Sequence, residues 1–355
     1  QRIVAAAVGE HSVAVARQVD AEIGEPDVLR RRDGSSVYTR RGETVYSSAA
    51  VLAAEHRILE AAELGGGRAA EDSDIGLALL EADANGRPLN DGQRALVREM
   101  AASGARVQLA VAPAGTGKTT ATAALAAAWR NSGGTVVGLA PTAAAAEVLA
   151  GELGSATDTI AKLVQLSRPD LHQPGSADDP ARVWFNAIDA TTLVVIDEAG
   201  KASTAELDAV IHHALARGAS VRLIGDDHQL TSVSAGGVLR DLAAHRNTLT
   251  LSEVVRFGDS ERGRAEGAAS LALRAGDPAG IAFYLDHRRI HVGADAMAAD
   301  MAYEAWRTDL IAGRDSVLLA PTNALVAELN DRARADRIAA AGRRIGSTVT
   351  LGDGL

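Results

Sequence analysis

The sequence predicts an α/β fold in which helices cover both faces of a parallel β-sheet. From Leu89 onward, short β-branched runs alternate with helical segments, as a doubly covered parallel sheet requires. One of these runs leads directly into a glycine-containing loop and a helix, and another ends in two carboxylates. The predicted strands are Val107–Val111, Thr135–Leu139, Leu193–Ile196, Val221–Ile224 and Thr248–Leu251.

The composition is that of a globular protein with few aromatic residues. The 355 residues, 47% hydrophobic and 23% charged, suffice for two or three domains, but only 3% are aromatic. The absence of cysteine excludes a disulfide framework and favours a cytoplasmic location. We find no apolar run of membrane-spanning length and no signal peptide, so no membrane association is expected. Because the net charge is −10, any contact with nucleic acid must be local.

Residues 1–88 are predicted to form a small unit of their own. Val4–Val19 has the pattern of an Ala- and Val-rich helix, and Ser36–Tyr46 that of a β-hairpin with a glycine turn. Ser48 is placed to cap a helix that runs through Ala62. The turn residues at 85–88, Asn-Gly-Arg-Pro, indicate a domain boundary.

The rest of the chain is predicted to contain two α/β lobes. The first covers residues 89–250, and the second begins in residues 251–340 with a strand at Ser316–Ala320 and a helix from about Ala324. Residues 341–355 are expected to start an inserted segment that is cut off. Ala-Pro-Thr occurs at 140–142 and again at 320–322, each time between a predicted strand and a helix, as two related lobes would require.

The loop after the first predicted strand has the composition of a phosphate-binding loop. Gly115 and Gly117 would let backbone amides curl around phosphate oxygens, at the positive end of the following helix. Lys118 would reach the β- and γ-phosphates of ATP, and Thr119 would ligate magnesium. An ordinary glycine turn is the alternative, but the strand before and the helix after favour the phosphate loop. The predicted nucleotide-binding residues of this loop are Ala114, Gly115, Thr116, Gly117, Lys118, Thr119 and Thr120.

Two carboxylates follow the buried strand Leu193–Ile196. In a parallel sheet of this kind they would lie beside the phosphate loop, because strand carboxyl ends share one edge. Asp197 would hold magnesium, and Glu198 would orient and deprotonate the attacking water. The alternative is a plain turn at the strand end, followed by a capping box from Ser203 to Glu206.

A third polar loop follows Val221–Ile224. It contains Gln229, which would donate to the γ-phosphate or to the attacking water. The alternative is a loop glutamine bonded to the backbone.

With these motifs in this order, the chain resembles the RecD-like branch of superfamily 1 DNA helicases, specifically the helicase portion of TraI/TraA-type conjugative relaxases. The resemblance is specific over residues 89 to about 256 and weaker to about 335. The family's last two motifs have no counterpart after Asn330. The motifs that carry the resemblance are Leu89-Asn90-x-x-Gln93, Ala114-Gly115-Thr116-Gly117-Lys118-Thr119, Ala140-Pro141-Thr142, Ile196-Asp197-Glu198-Ala199-Gly200, Gly225-Asp226-Asp227-His228-Gln229-Leu230 and Leu251-Ser252-Glu253-Val254-Val255-Arg256.

The resemblance implies a P-loop NTPase with one RecA-like lobe and part of a second. The expected function is that of an ATP- and magnesium-dependent helicase that moves 5′-to-3′ on single-stranded DNA, as a monomeric piece of a conjugative relaxase. Conjugation or recombination machinery would be its protein partners. The alternatives are a free-standing RecD-like repair helicase and a module that binds nucleotide and DNA without turnover because its second lobe is incomplete.

The resemblance also implies roles for residues outside the phosphate loop. Gln93 is similar to the glutamine that reads the adenine edge, although its spacing from Asn90 equally fits a helix cap. Arg256 resembles the arginine finger that reaches the γ-phosphate across the cleft between lobes, with a solvated arginine as the alternative. The residues expected to line the path of single-stranded DNA, or simply to cap helices, are Pro141, Thr142, Pro321, Thr322 and Asn323.

Overall fold

The computed structural model describes residues 12–15, 45–168, 180–226, 228, 237–244, 247–258 and 260–340. The chain divides into two compact units, Gln1–Gly280 and Ile281–Leu355. The strands are β1 (Val13–Val15), β2 (Val45–Ser47), β3 (Val107–Val111), β4 (Thr135–Ala140), β5 (Ala156–Thr159), β6 (Thr192–Ile196), β7 (Ser220–Gly225) and β8 (Leu249–Thr250).

Helices account for most of the remaining described residues. They are α1 (Ala49–Ala62), α2 (Asp72–Ala84), α3 (Asp91–Ala102), α4 (Lys118–Asn131), α5 (Ala143–Leu153), α6 (Ile160–Ser167), α7 (Pro180–Asn186), α8 (Thr204–Ala216), α9 (Val238–Ala243), α10 (Glu261–Arg274), α11 (Ala279–Asp286), α12 (Asp295–Ile311) and α13 (Asn323–Ala340), with a 3-10 turn at Ala199–Lys201. None of these helices is long and apolar enough to cross a membrane.

The first unit is built on a parallel sheet of six strands, in the order β5-β4-β6-β7-β3-β8. Every residue of β3, β6 and β7 is buried, as expected for strands that are covered on both faces. The predicted α/β class is therefore confirmed, and the fold is that of a RecA-like P-loop NTPase. Strand β5 was missed because it is short, polar and half-exposed, with no apolar run to reveal it.

Two hydrophobic cores lie on the two faces of this sheet. Leu109 of β3 packs in one core, and its neighbour Ala110 packs in the other. Helices α1 and α8 contribute to the first core, and α2 to α5 contribute to the second. Trp129 of α4 is completely buried in the second core, and its indole Nε1 donates to the Thr191 carbonyl over 2.8 Å. The second core thus fixes α4, the helix that begins at Lys118.

The boundary predicted at residue 88 does not separate two cores. Ile58 of α1 shares the first core with Leu109. Ile75 of α2 shares the second core with Trp129. Helices α1 and α2 are therefore part of the sheet's own packing, and the first unit continues past the predicted limit at 250 to Gly280. Turn residues mark where a chain reverses, but only burial decides which elements share a core.

The N-terminal helix predicted over Val4–Val19 is wrong where the structure describes it. Val13–Val15 is a strand that pairs antiparallel with Val45–Ser47. Branching at Cβ favours a strand once a partner strand is in reach. The first strand of the predicted hairpin and the segment 341–355 lie outside the described residues. The predicted cap of α1 is confirmed, since Ser48 Oγ accepts from the Val51 amide over 3.1 Å.

The predicted strand at Ser316–Ala320 is also wrong, whereas the helix after it begins one residue earlier than expected, at Asn323. Val317 is 79% exposed and Leu319 is 86% exposed. A strand exists by pairing its backbone with a neighbour, and none of the described residues from 281 to 340 supplies one. The residues predicted to begin a second α/β lobe therefore contain, from 281 to 340, helices and connecting segments but no strand.

His213 on α8 is a partly buried histidine whose ring stacks on Phe185, with the ring centroids 4.3 Å apart. Its Nε2 has no hydrogen-bond partner in the described part of the chain. Burial lowers the pKa of His213 from 6.5 to about 4, assisted by the positive charges of Arg217 and His212. Because the unfolded chain binds this proton more readily, protonation favours unfolding below pH 6.5.

We expect the free energy of unfolding to fall as the pH drops from 6.5 toward 4, with His213 contributing to that slope. His213→Gln should make the slope shallower, whereas His212→Gln, on the exposed side of the same helix, should leave it nearly unchanged. Denaturant unfolding at several pH values between neutrality and pH 4 measures both. Identical slopes in wild type and His213→Gln would contradict the assignment.

Candidate functional site

The predicted phosphate loop and acid pair lie at one edge of the sheet. Strands β3, β6 and β7 are neighbours or next neighbours and run parallel, so their carboxyl ends meet there. The glycine-containing loop follows β3, Asp197 follows β6, and Asp226 follows β7. The site is therefore assembled by sheet topology from residues that are far apart in the chain.

The loop after β3 has the backbone expected of a phosphate cradle. Gly115 and Gly117 adopt left-handed conformations, with φ of 86° and 72°. The hydroxyl of Thr116 is turned inward and donates to the Pro113 carbonyl over 2.8 Å. Ala114 and Thr119 are exposed, and Lys118 opens helix α4. The loop can thus present backbone amides and a helix N-terminus to an anion.

Gln93 joins this loop to helix α3. Its Oε1 accepts from the backbone amide of Asn90 over 3.0 Å, and its backbone amide donates to Asn90 Oδ1 over 2.8 Å. These two bonds form a capping box. Its Nε2 donates to the Thr116 carbonyl over 2.8 Å and lies 3.4 Å from the Gly117 carbonyl. The helix-cap alternative is therefore realised, together with a direct tie to the loop that the sequence did not suggest. A role in reading adenine stays a prediction.

Gly117→Ala is expected to weaken nucleotide binding at least about tenfold, because it distorts the loop in two ways. A left-handed conformation costs a residue with a Cβ about 1–2 kcal/mol. The new Cβ would also collide with the Gln93 amide and lie 3.3 Å from Val255 Cγ2. Gly154→Ala is the matched control, because Gly154 has φ of 58° but open space around it and lies at the end of α5.

Titration with a fluorescent nucleotide measures affinity, and thermal unfolding measures stability. Together they separate the cost of the left-handed backbone from the effect of the collision with Gln93. Both variants should lose some stability, but only Gly117→Ala should lose affinity. Equal nucleotide affinities for the two variants would show that the collision is relieved without disturbing the loop.

Lys118 is held by both carboxylates of the acid pair. Its Nζ forms an ion pair with Glu198 Oε1 and lies 3.4 Å from Asp197 Oδ1. Burial by itself lowers the pKa of Lys118, but Asp197 and Glu198 raise it above its usual value. Burial likewise raises the pKa of Glu198, but the ammonium groups of Lys118 and Lys201 bring it below its usual value. Lys118 and Glu198 are therefore both charged at neutral pH, and their opposite charges balance each other.

Glu198 has a strained backbone, with φ of 52° and ψ of 38°. A left-handed conformation is rare for a residue with a long side chain and is often found at functional sites. The Glu198 amide donates to Asp197 Oδ1 over 2.9 Å, which closes the turn at the end of β6. The capping box from Ser203 to Glu206 is also formed. The two interpretations of this segment are thus compatible, because the acid pair and the cap use different residues.

Asp226 is buried at the end of β7, and its ion pair was not foreseen from the sequence. Its Oδ1 accepts from Arg274 Nε over 2.9 Å and from Nη2 over 2.6 Å. The His228 amide donates to the same oxygen over 3.0 Å. No local signal could reveal this pair, because Arg274 lies 48 residues away on α10. Gln229 lies outside the described residues, so its role stays a prediction.

Arg256 lies on the phosphate loop and belongs to the first unit. The amides of Val255 and Arg256 both donate to the Gly115 carbonyl, over 2.8 and 3.0 Å. A Cβ on Gly115 would come within 2.9 Å of Arg256 Cβ, so this approach depends on the glycine. The expectation that Arg256 reaches in from a second lobe is therefore wrong, because backbone hydrogen bonds anchor it beside the loop. Its side chain is exposed.

Two of the residues predicted to line a DNA path, Thr142 and Thr322, cap helices. Thr142 Oγ1 accepts from the Ala145 amide over 3.2 Å at the start of α5. Thr322 Oγ1 accepts from the Leu325 amide over 3.3 Å, and Asn323 is the first residue of α13. The cap alternative is thus realised for both threonines. Contact of these residues with DNA, for Pro141, Pro321 and Asn323 as well as for the two threonines, stays a prediction.

Comparison with known proteins agrees with this fold and site. Residues 88–295 match the protein family described as AAA domain. The chain belongs to this AAA-domain family. The match includes the phosphate loop, the acid pair, Asp226 and Arg256.

Two relatives extend the comparison to proteins of conjugation. The probable conjugal transfer protein TraA of Sinorhizobium fredii is 28% identical over 249 residues, which cover 70% of this chain and 21% of that protein. The conjugal transfer protein TraA of Rhizobium radiobacter is 31% identical over 196 residues, 53% of this chain and 16% of that protein. The predicted resemblance to TraA is confirmed, and the aligned part of this chain spans 21% and 16% of the length of these two relatives.

Among solved structures, the Pif1 helicase of Candida albicans superposes with a TM-score of 0.42 and 18% sequence identity. The superposition covers 62% of this chain and 55% of the Pif1 chain.

Proposed function

We propose that this AAA domain binds ATP with magnesium, hydrolyses it, and uses the cycle to move along single-stranded DNA as part of a helicase. The observation that carries the proposal is the convergence of Lys118, Asp197 and Glu198 at the end of a phosphate loop. The similarity to TraA supports a role in conjugative DNA transfer, and 5′-to-3′ movement is expected from the resemblance. A monomeric state and a cytoplasmic location remain predictions.

The residues present fit a magnesium-bound triphosphate. Lys118 is a charged, partly buried ammonium whose present partners are carboxylates, so phosphate oxygens can take their place. The loop amides and the N-terminus of α4 would bind the β-phosphate. The exposed Thr119 hydroxyl and Asp197 would hold magnesium, which neutralises charge on the β- and γ-oxygens when bound.

Glu198 is the residue that we propose as general base. It would take a proton from a water whose oxygen forms a bond to the γ-phosphorus, while the bond from that phosphorus to the β-γ bridging oxygen breaks. Arg256, anchored on the loop through Gly115, would stabilise the charge that develops on the γ-phosphoryl group. Gln229 would orient the attacking water. The role of Glu198 depends on release of its carboxylate from Lys118 when nucleotide binds.

A binding module without turnover is the second candidate. It is favoured by the described part of residues 281–340, which contains helices but no strand with which to build a second RecA-like lobe. In that case the chain would bind nucleotide and DNA, and closure around the γ-phosphate would not occur. The matches to TraA favour a conjugative protein over a free-standing repair helicase.

The deciding experiment measures phosphate release from magnesium-ATP with and without single-stranded DNA. It uses this chain, a version extended along the sequence of its gene, and Lys118→Ala of each. We expect DNA to stimulate release and Lys118→Ala to abolish it. Tight nucleotide binding without release in either version would establish the binding module, and absence of nucleotide binding would refute both candidates.

A further inference from the structure

We propose that Lys201 is a positioning residue that keeps the Glu198 carboxylate in place once Lys118 has moved onto the phosphates. This inference rests on the proposed ATPase function and assigns a role to a residue outside the motifs recognised in the sequence. The observation behind it is that the two carboxylate oxygens of Glu198 are paired with two different lysines, Lys118 and Lys201.

The two oxygens of Glu198 have different partners. Oε1 is paired with Lys118, and Oε2 lies 3.2 Å from Lys201 Nζ. Glu198 and Lys118 are mostly shielded, with side-chain exposures of 21% and 20%, whereas Lys201 is 55% exposed. Lys201 is therefore the more solvent-exposed of the two lysines that contact this carboxylate.

The two lysines differ in what happens to them when nucleotide binds. Lys118 begins α4 at the end of the loop, and a triphosphate in the loop would take its ammonium from Glu198. Lys201 lies in the same turn as Glu198, and its amide donates to the Glu198 carbonyl over 2.9 Å. This turn is packed closely, since a Cβ on Gly200 would lie 3.2 Å from the Asp226 carbonyl. Lys201 thus stays beside Glu198 throughout.

The carboxylate of a general base must be held in a fixed orientation and must be accessible to the attacking water. The left-handed backbone sets the direction in which the Glu198 side chain leaves the turn, but its side-chain torsions still need a partner. When Lys118 departs, Lys201 would hold Oε2 and leave Oε1 open to the attacking water. Loss of Lys201 would leave the carboxylate to sample other rotamers, and misplacement of a reacting group by about 1 Å can cost 10²-fold in rate.

The test compares Lys201→Met, which keeps the unbranched apolar stem and removes the charged ammonium group, with Lys201→Arg. Lys162→Met, on α6, is the control for loss of one lysine elsewhere in the unit. We expect Lys201→Met to lower kcat about tenfold. The affinity for a non-hydrolysable magnesium-triphosphate analogue should change less than about twofold, since binding and chemistry use different contacts. Lys201→Arg should recover most of the rate.

Combining Lys201→Met with Glu198→Gln tests whether Lys201 acts through Glu198. Because Lys201 acts only through Glu198, adding Lys201→Met to Glu198→Gln should lower the residual rate no further. An unchanged kcat in Lys201→Met, with Glu198→Gln inactive, would overturn this inference and leave the ATPase function standing. A parallel fall in analogue affinity, thermal stability and rate, without recovery by arginine, would show a merely structural role. Absence of turnover in the wild type would overturn the function and this inference together.

Discussion

Glu198→Gln is expected to lower the turnover of ATP about 10²- to 10⁴-fold, the range typical for loss of a general base. Glutamine keeps the shape of the side chain and can follow the same left-handed backbone, but it cannot accept the proton of the attacking water. Nucleotide affinity should be retained or increased, because the variant removes a carboxylate that competes with phosphate for Lys118. Turnover and affinity should therefore move in opposite directions.

Glu206→Gln is the matched control for this prediction. Glu206 lies close by on α8, where its carboxylate accepts from the Ser203 amide over 2.9 Å in the capping box. Glutamine serves in such a box as well as glutamate does, so neither rate nor stability should change much. Single-turnover phosphate release and equilibrium binding of a nucleotide analogue measure the two effects. A loss smaller than about tenfold in Glu198→Gln would show that another group takes the proton.

Arg274→Met is expected to destabilise the first unit by about 3–5 kcal/mol, the cost of leaving one partner of a buried ion pair alone. Asp226 is only 8% exposed, and both of its contacts with Arg274 are charge-assisted hydrogen bonds. Asp226→Asn in the Arg274→Met background should recover much of the loss, because the buried charge is then gone. Arg262→Met, at an exposed position of the same helix, should have little effect.

The pH dependence gives an independent check on this pair. Burial alone would raise the pKa of Asp226, but the Arg274 guanidinium and the His228 amide bring it below its usual value of 3.8. The pair therefore stabilises the fold above that value and loses its effect as the pH falls through the lowered pKa. The stability difference between wild type and Arg274→Met should narrow in acid. A difference that stays constant down to the lowest measurable pH would contradict the assignment.

The phosphate loop and the acid pair are predictable because their signals are local. Gly115, Gly117 and Lys118 follow a buried strand directly, and Asp197 and Glu198 end another. Strand and loop geometry depend on backbone conformations that neighbouring residues determine, and alternation with helices is enough to predict a parallel sheet. The sheet then brings the two segments together without further information from the sequence.

Burial and pairing decided the features that the sequence did not predict correctly. Val13–Val15 is a strand because Val45–Ser47 pairs with it, whereas Ser316–Ala320, also an apolar run, has no paired neighbour among the described residues. The turn at 85–88 does not end a domain, because apolar residues before and after it pack in one core. A local pattern permits a helix, a strand or a turn, but contacts between residues far apart in the chain decide which of them forms.

The sequence by itself determined the α/β class, the phosphate loop, the acid pair and the resemblance to TraA, because each is a short pattern with a strong preference for one local structure. Only the tertiary structure decided that Arg256 sits on the loop, that Gln93 ties the loop to α3, and that Lys201 shares Glu198 with Lys118. The contact between Arg274 and Asp226 is likewise decided only by the tertiary structure. These contacts depend on how α3, α10 and the turn after β6 are held against the sheet edge, and that placement follows from burial of two cores rather than from any single motif.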